Sequence, residues 1–249
     1  MKHLWLLTSL ITWTVVSGGP EKRAEKNRTA DAGFAVVELF TSEGCSSCPA
    51  AEKLLKEIHQ EYQGRPVYVL AFHVDYWNKL GWTDKFSSAE YTQRQYQYSA
   101  FFLGQIYTPQ AIVNGKEAFV GSDAEKIHGA INNALKKKIK LQQTAYKVSI
   151  KDGHVLLDYT LDQTFKGNLI SVALLQRQES VEVNAGENKG KLLEHLNVVR
   201  SFYSAPALDP SGNISLDIPE GLDPKRLHVL VYLQNQKNFN VISASELSL

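Results

Sequence analysis

FAVVELFTSEGCSSCPAAEKLLKEIHQEY, residues 34–62, decides the fold. Phe34 to Phe40 is a mostly apolar run rich in β-branched and aromatic side chains, as in a strand buried on both faces. Thr41 to Gly44 reads as a loop, and Cys45-Ser46-Ser47-Cys48 follows it directly. Pro49 suits the first turn of a helix, where its missing N–H has no partner to lose. Ala51, Leu54, Leu55, Ile58 and Tyr62 then recur at the spacing of one helical face, and Gln63-Gly64 ends the helix. Strand, Cys-x-x-Cys and helix in that order are the working unit of thiol–disulfide chemistry.

These are the only two cysteines in 249 residues, so an intrachain disulfide can only join them. The loop they close is too short to add much stability, because that effect grows with loop length. Chemistry is therefore a better reading of the pair than scaffolding.

The pattern continues outward. Val67 to Phe72 is a second strand, which completes the βαβ unit of a parallel sheet. Ser87-x-x-Glu90 reads as a capping box opening a helix that carries Tyr91, Tyr98 and Phe102 on one side. Asn114-Gly115 between Ala111–Val113 and Glu117–Val120 is a hairpin signal. A last helix starts near Ser122-Asp123, turns Ile127, Ala130, Ile131, Ala134 and Leu135 inward, and runs into Lys136, Lys137, Lys138 and Lys140, which complement its C-terminal dipole.

After Leu141 the texture changes to period-two alternation: Tyr146, Val148 and Ile150, then Val155, Leu157, Tyr159 and Leu161 across Asp152-Gly153. Further runs at 169–175, 213–218, 228–233 and 241–249 also read as strands. Short strands at this spacing predict a β-sandwich of roughly 100 residues. The chain thus divides into 34–140, an α/β unit, and 141–249, a β-rich, sandwich-like unit.

The first twenty residues are set apart. Lys2 and His3 precede an apolar run from Leu4 to Val16, and Ser17-Gly18-Gly19 supplies small residues for cleavage, so 1–20 reads as a secretory signal peptide. A retained N-terminal anchor is the alternative, although the run is short for a membrane span. Residues 21–33 form a charged leader without an apolar face. Without Lys2 the 27 basic residues fall level with the 26 acidic ones, which leaves no basic footprint for nucleic acid or anionic membrane. The expected location is secreted or periplasmic, where disulfides persist and the state of the pair depends on its reduction potential. No later segment is apolar enough to span a membrane, and the sequence carries no signal for an oligomeric state.

The element order over 34–140 resembles the thioredoxin fold. That resemblance implies roles. Cys45, before the helix N-terminus, is the expected nucleophile, and Cys48 the more buried resolving thiol. Pro109 lies 64 residues after Cys45 and before the hairpin; in thioredoxin-like proteins the corresponding proline is cis and packs on the disulfide, and the residue before it, here Thr108, can bind an extended partner through its backbone. Glu38, seven residues before Cys45, is the candidate for the buried acid that moves the resolving thiol's proton, with a hydrogen-bonded carboxylate at the sheet edge as the alternative.

Longer strings are similar to the secreted proteins of domain-of-unknown-function family 1223: VELFTSEGCSSCPAAEKLL, FHVDYWNKLGWTDKFSSAEYTQRQ, IYTPQAIVNG and GENKGKLLEHLNVVRSF. Membership implies a thioredoxin-like domain, a β-rich C-terminal part and export, with no settled biochemical role. In the last string Glu187, His195, Asn197 and Arg200 are read as a hydrogen-bonded network inside the sandwich, in preference to contacts with the first unit that shape a partner groove. No Gly-x-Ser-x-Gly nucleophile elbow supports a serine hydrolase.

The resulting expectation is an exported thiol–disulfide oxidoreductase exchanging with extracytoplasmic protein thiols and disulfides, with no cofactor beyond its two thiols. A thioredoxin-like binding module with a structural or redox-sensing disulfide is the alternative. A copper- or zinc-handling protein using Cys45, Cys48 and His73 is a third reading, and three ligands are an incomplete structural zinc site.

Overall fold

The structure, a computed structural model, describes residues 33–139, 144–162 and 166–249. The signal peptide and most of the leader lie outside the described residues, as does the expected boundary at 140/141. Among the described residues no helix is long and apolar enough to cross a membrane.

Strand β1 (Ala35–Thr41), helix α1 (Cys48–Glu61) and strand β2 (Val67–His73) form the expected parallel unit, paired from Ala35↔Val67 to Thr41↔His73. Helix α2 (Ala89–Phe102) starts one residue later than the capping-box reading: Ser88 is the N-cap and accepts a hydrogen bond from the Glu90 N–H. Strands β3 (Gln110–Val113) and β4 (Glu117–Val120) turn at Asn114-Gly115, and α3 (Ala124–Leu135) is capped by Asp123. Alternation along β1 sends Ala35, Val37 and Leu39 to the face covered by α1 and α3. Val36 and Phe40 go to the other face, with Tyr91 and Tyr98 of α2.

The second half follows as β5 (Ala145–Lys151), β6 (His154–Thr160), β7 (Asn168–Glu182), β8 (Leu192–Pro206), β9 (Ser211–Asp217), β10 (Leu227–Asn235) and β11 (Val241–Ser248). Here the expectation of a self-contained sandwich gives way. Four of these strands extend the first half's sheet, giving eight strands in the order β11-β10-β7-β8-β2-β1-β3-β4. The other three form a small sheet, β5-β6-β9, whose Tyr146, Val155, Leu157, Ile214 and Leu216 pack on Val172, Leu174, Val229 and Val231 of the large one.

The physical reason is the edge of β2. Its residues are almost all buried, and without a neighbour its backbone groups would be unpaired. Strand β8, absent from the sequence reading, lies parallel beside it through Ala71↔Val198. Asn197, at φ 49°, turns its side-chain amide to the Val69 carbonyl at 2.9 Å, so a side chain takes over where the ladder lapses. β7 and β8 form one long antiparallel hairpin with an irregularity after Leu174 that leaves Arg200 as the extra residue.

Candidate functional site: the Cys45–Cys48 loop and the cluster beneath it

The end of β1 delivers the chain into a tight loop. Glu43 donates its N–H to Asp84 Oδ2 at 2.9 Å, Gly44 donates to Ser42 Oγ at 3.1 Å, and the Cys45 N–H closes on the Ser42 carbonyl at 3.2 Å. Helix α1 then opens at Cys48 with Pro49 in its first turn, and Cys45 and Cys48 are joined as a disulfide. Ser46 and Ser47 are exposed, whereas Cys45 is 0% and Cys48 1% exposed. The expected contrast between an open nucleophile and a buried resolver is therefore absent: both sulfurs are covered.

Part of the cover comes from the connection between β7 and β8. Asn188, itself buried, donates both amide hydrogens, to the Glu43 carbonyl at 2.8 Å and the Cys45 carbonyl at 2.9 Å. Glu187 accepts the Ser46 N–H at 3.1 Å, and hydrogen bonding to Ser46 holds its carboxyl below the ordinary range. The network expected inside the sandwich is thus corrected for Glu187, His195 and Asn197, which all reach the first half. Arg200 stays closer to expectation: it bonds Gln176 on β7 at 2.5 Å and stacks on Phe86.

Thr108-Pro109 is a cis peptide, as the thioredoxin resemblance implied. Its surroundings are held from two sides. Trp77 Nε1 donates to Thr108 Oγ1 at 2.8 Å, and Gln95 of α2 donates to the Tyr107 carbonyl at 2.7 Å. A Cβ placed on Gly121 would come within 2.8 Å of both Pro109 and Leu39 and 3.1 Å of Ala51 on α1, so the bare glycine lets the proline seat against α1. The Gly44 Cα faces Trp77 closely enough that a Cβ there would sit 3.1 Å from the indole Cβ, which ties the loop before Cys45 to the Thr108 side.

Glu38 does other work than the expected proton relay. It accepts hydrogen bonds from Arg94 Nε at 2.6 Å, Arg94 Nη2 at 2.9 Å and Tyr98 Oη at 2.6 Å. Even-numbered positions of β1 face α2, and α1, which begins at Cys48, packs on the odd-numbered ones. Arg94 also bonds Tyr232 Oη at 2.9 Å and Gln234 Oε1 at 3.3 Å on β10. Glu38 and Arg94 thus form a buried clamp between the two halves of the sheet.

The acids and imidazoles near the thiol loop are different ones, and the sequence reading passed over most of them. Glu52 lies one turn after Cys48 on the apolar face of α1; an acid among Ala51, Leu54 and Leu55 was the available signal. It accepts from Thr41 Oγ1 at 2.8 Å, and its other oxygen lies 2.5 Å from His195 Nδ1. Burial raises the Glu52 carboxyl, but the charge and hydrogen bond of His195, with His73 and Thr41 behind them, hold it below its ordinary value. For His195, burial pulls downward, and Glu52 together with Glu43 overcomes it and pushes the imidazole up to about 10.

His73, the third ligand of the copper or zinc reading, sets Nδ1 2.7 Å from Asp84 Oδ2 and stacks edge-on to His195 with ring centroids 4.9 Å apart. Burial pushes the Asp84 carboxyl up, and His73 with the Glu43 and Phe86 N–H groups brings it below the usual range. No three-ligand group of Cys45, Cys48 and His73 forms among the described residues; the one group of that kind is Glu52, His73 and His195. Asn188 carried no local sequence signal, because its role exists only once the β7–β8 connection lies against the thiol loop; Asp84 acts within the first half, on His73 and on the Glu43 and Phe86 N–H groups.

Known proteins bear on these features at two levels. A thioredoxin of Methanocaldococcus jannaschii is 28% identical over 103 residues, covering 41% of this chain and 94% of that one. Protein AGR_C_4864 from Agrobacterium tumefaciens has a solved structure that is 30% identical, with a TM-score of 0.65, covering 88% of this chain and 96% of that one. The structure of HBP35 of Porphyromonas gingivalis, at 16% identity and TM-score 0.56, covers 89% of this chain and 77% of that chain and shares the fold alone. Residues 36–234, from the first strand to the end of β10, match the family described as "Protein of unknown function (DUF1223)", and the chain belongs to that family.

Proposed function

We propose that this protein is an exported thiol–disulfide oxidoreductase that exchanges disulfides with extracytoplasmic proteins through Cys45 and Cys48. The observation that carries the reading is the Cys-x-x-Cys disulfide at the start of α1, with the Thr108-Pro109 segment held in place by Trp77 and Gln95. The likeness to an archaeal thioredoxin supports a redox module of that type. Export follows from the reading of residues 1–20.

In the reducing direction the Cys45 thiolate attacks one sulfur of a partner disulfide. A Cys45–partner disulfide forms and the partner's other sulfur leaves as thiolate. The Cys48 thiolate then attacks Cys45 Sγ and expels the second partner thiolate. The partner gains two electrons and this chain returns to the disulfide. The reverse sequence oxidises a dithiol. The helix N-terminus favours the thiolate form of Cys45, and Thr108 offers backbone to an extended partner segment.

One observation favours a second reading. Cys45 is fully covered, and the Asn188 and Glu187 bonds pin the loop that carries it, as expected of a structural or redox-sensing disulfide in a binding module. The two separate by measurement. An oxidoreductase reduces a model protein disulfide catalytically, loses that turnover in Cys45→Ala, and has a defined reduction potential against glutathione. A pair that stays oxidised under strong reductant and gives no turnover refutes the oxidoreductase reading.

A further inference from the structure

The β7–β8 hairpin runs on past the strands that flank it. Backbone pairing of β7 with β10 stops at Gln176, and β8 meets β2 through Val198. Beyond those points Gln178–Glu182 and Leu192–Leu196 pair with each other. The connection that joins them, from Val183 to Lys191, is closed on itself. The Val183 N–H bonds the Lys191 carbonyl at 3.0 Å, the Gly190 N–H the Val183 carbonyl at 2.7 Å, and the Lys191 N–H the Asn188 carbonyl at 3.1 Å. Lys191 Nζ also holds Asn188 Oδ1 at 2.9 Å, while the amide hydrogens of that side chain go to the thiol loop.

From Asn184 to Lys191 a single residue is buried, Asn188, at 0% exposed. Among the described residues three hydrogen bonds tie this turn to the first half: two from Asn188, and the one that Glu187 accepts from the Ser46 N–H. A net hydrogen bond shifts an equilibrium by roughly two- to tenfold, so three favour the docked turn by about ten- to a thousandfold. That holds the turn down most of the time and still lets it open within a turnover. Both sulfurs are covered while it is docked, and exchange needs access for the incoming thiolate.

We propose that the turn from Val183 to Lys191 is a lid on the thiol loop, which lifts as one piece with Asn188 and Glu187 and admits a thiolate to Cys45 only while lifted. The strands behind it stay in place, because Glu194 pairs with Lys56 at 2.6 Å and His195 with Glu52 at 2.5 Å, both on α1. The hinge therefore lies at the ends of β7 and β8. Docked, the lid keeps small thiols from the disulfide. Lifted, it frees the Glu43 and Cys45 carbonyls and the Ser46 N–H beside the reacting sulfur. The purpose of the lid rests on the proposed disulfide exchange, whereas its motion does not.

The test uses the full purified protein and dithiothreitol, which closes its own ring and gives two electrons as the Cys45–Cys48 bond breaks into two thiols. Asn188→Asp keeps the side chain's shape and sets a carboxylate against two carbonyls. Its disulfide is expected to be reduced at least about tenfold faster than in the unmodified protein. The added negative charge would by itself slow an anionic thiolate, so acceleration reads opening. In Asn188→Ala, NMR titration is expected to show the Glu187 carboxyl back in the ordinary range and the Ser46 amide no longer titrating with it, because the two anchors leave together. Reduction unchanged or slowed in folded Asn188→Asp, or a Ser46 amide that still follows Glu187 in Asn188→Ala, overturns the lid; if the aspartate variant fails to fold, the alanine variant decides. Faster reduction without turnover on a protein disulfide upholds the lid and sinks the oxidoreductase reading, and turnover with unaltered reduction in the variants does the reverse.

Discussion

Replacing Glu38 by Gln tests the clamp at the centre of the sheet. Glu38 and Arg94 have side chains 1% and 3% exposed, so their interaction is not screened by water. The carboxylate accepts three hydrogen bonds, two from Arg94 and one from Tyr98. Gln keeps one acceptor, sets an amide donor against donors, and leaves the guanidinium buried without its counter-charge. Breaking one partner of such a pair costs about 3–5 kcal/mol. With a urea dependence of about 2–3 kcal/mol per molar, the midpoint falls by about 1–2 M. The assay is urea unfolding followed by circular dichroism, run beside turnover with a model disulfide over a range of pH. The expected outcome is a lowered midpoint with an unchanged pH profile of exchange, because Glu38 faces α2 and the cysteines lie on the α1 side. An unchanged midpoint together with slowed exchange or a displaced pH profile refutes the clamp and restores Glu38 as a proton relay.

Three further outcomes follow from other contacts. Asn188→Ala removes two hydrogen bonds from the thiol loop, worth about 1–3 kcal/mol for each carbonyl left buried, and speeds reduction of the Cys45–Cys48 disulfide by dithiothreitol; an unaltered rate refutes a covering role. Gly115→Ala places a Cβ 1.9 Å from the Phe239 carbonyl oxygen at φ +64°, so thermal unfolding should show a loss of at least about 2 kcal/mol, and a neutral result refutes the close approach of the β3–β4 turn to the C-terminal half. His228 is buried and its imidazole is pushed down to about 3, chiefly by burial with Arg177 and His59 adding to it, so the unfolded chain binds its proton first as pH falls. Stability is therefore full above about pH 6.5 and is lost towards pH 3, by about 2 kcal/mol between pH 7 and pH 5; His228→Gln should remove that share of the slope in pH-dependent urea melts, and parallel slopes refute it.

Much of the first half is legible in the order of residues because its signals are local. The helical spacing of Ala51, Leu54, Leu55 and Ile58, the Asn114-Gly115 turn and the proline after Cys48 each act within a few residues. The alternating runs of the second half mark most of its strands, but β8 carries no such pattern. β8 begins Leu192-Leu193-Glu194-His195, whose alternate residues face an environment that exists only after it docks on β2. For the same reason nothing local to Glu187, His195 and Asn197 points to their partners in the first half.

What the sequence by itself determined is the redox pair and its frame: two cysteines at a strand–helix junction, a proline in the right place, and the alternation that separates the two faces of β1. What only the tertiary structure decided is what surrounds that pair. Whether an acid on β1 serves the thiols depends on which face it takes, and Glu38, paired with Leu70 on β2 and Ile112 on β3, stands on the far one. Whether a disulfide is open depends on a turn that lies 141 residues away along the chain, between Ser46 and Glu187. The cluster of His73, Glu52, His195 and Glu43 likewise unites β2, α1, β8 and the thiol loop, and contacts of that range leave no periodic or local mark on the chain that forms them.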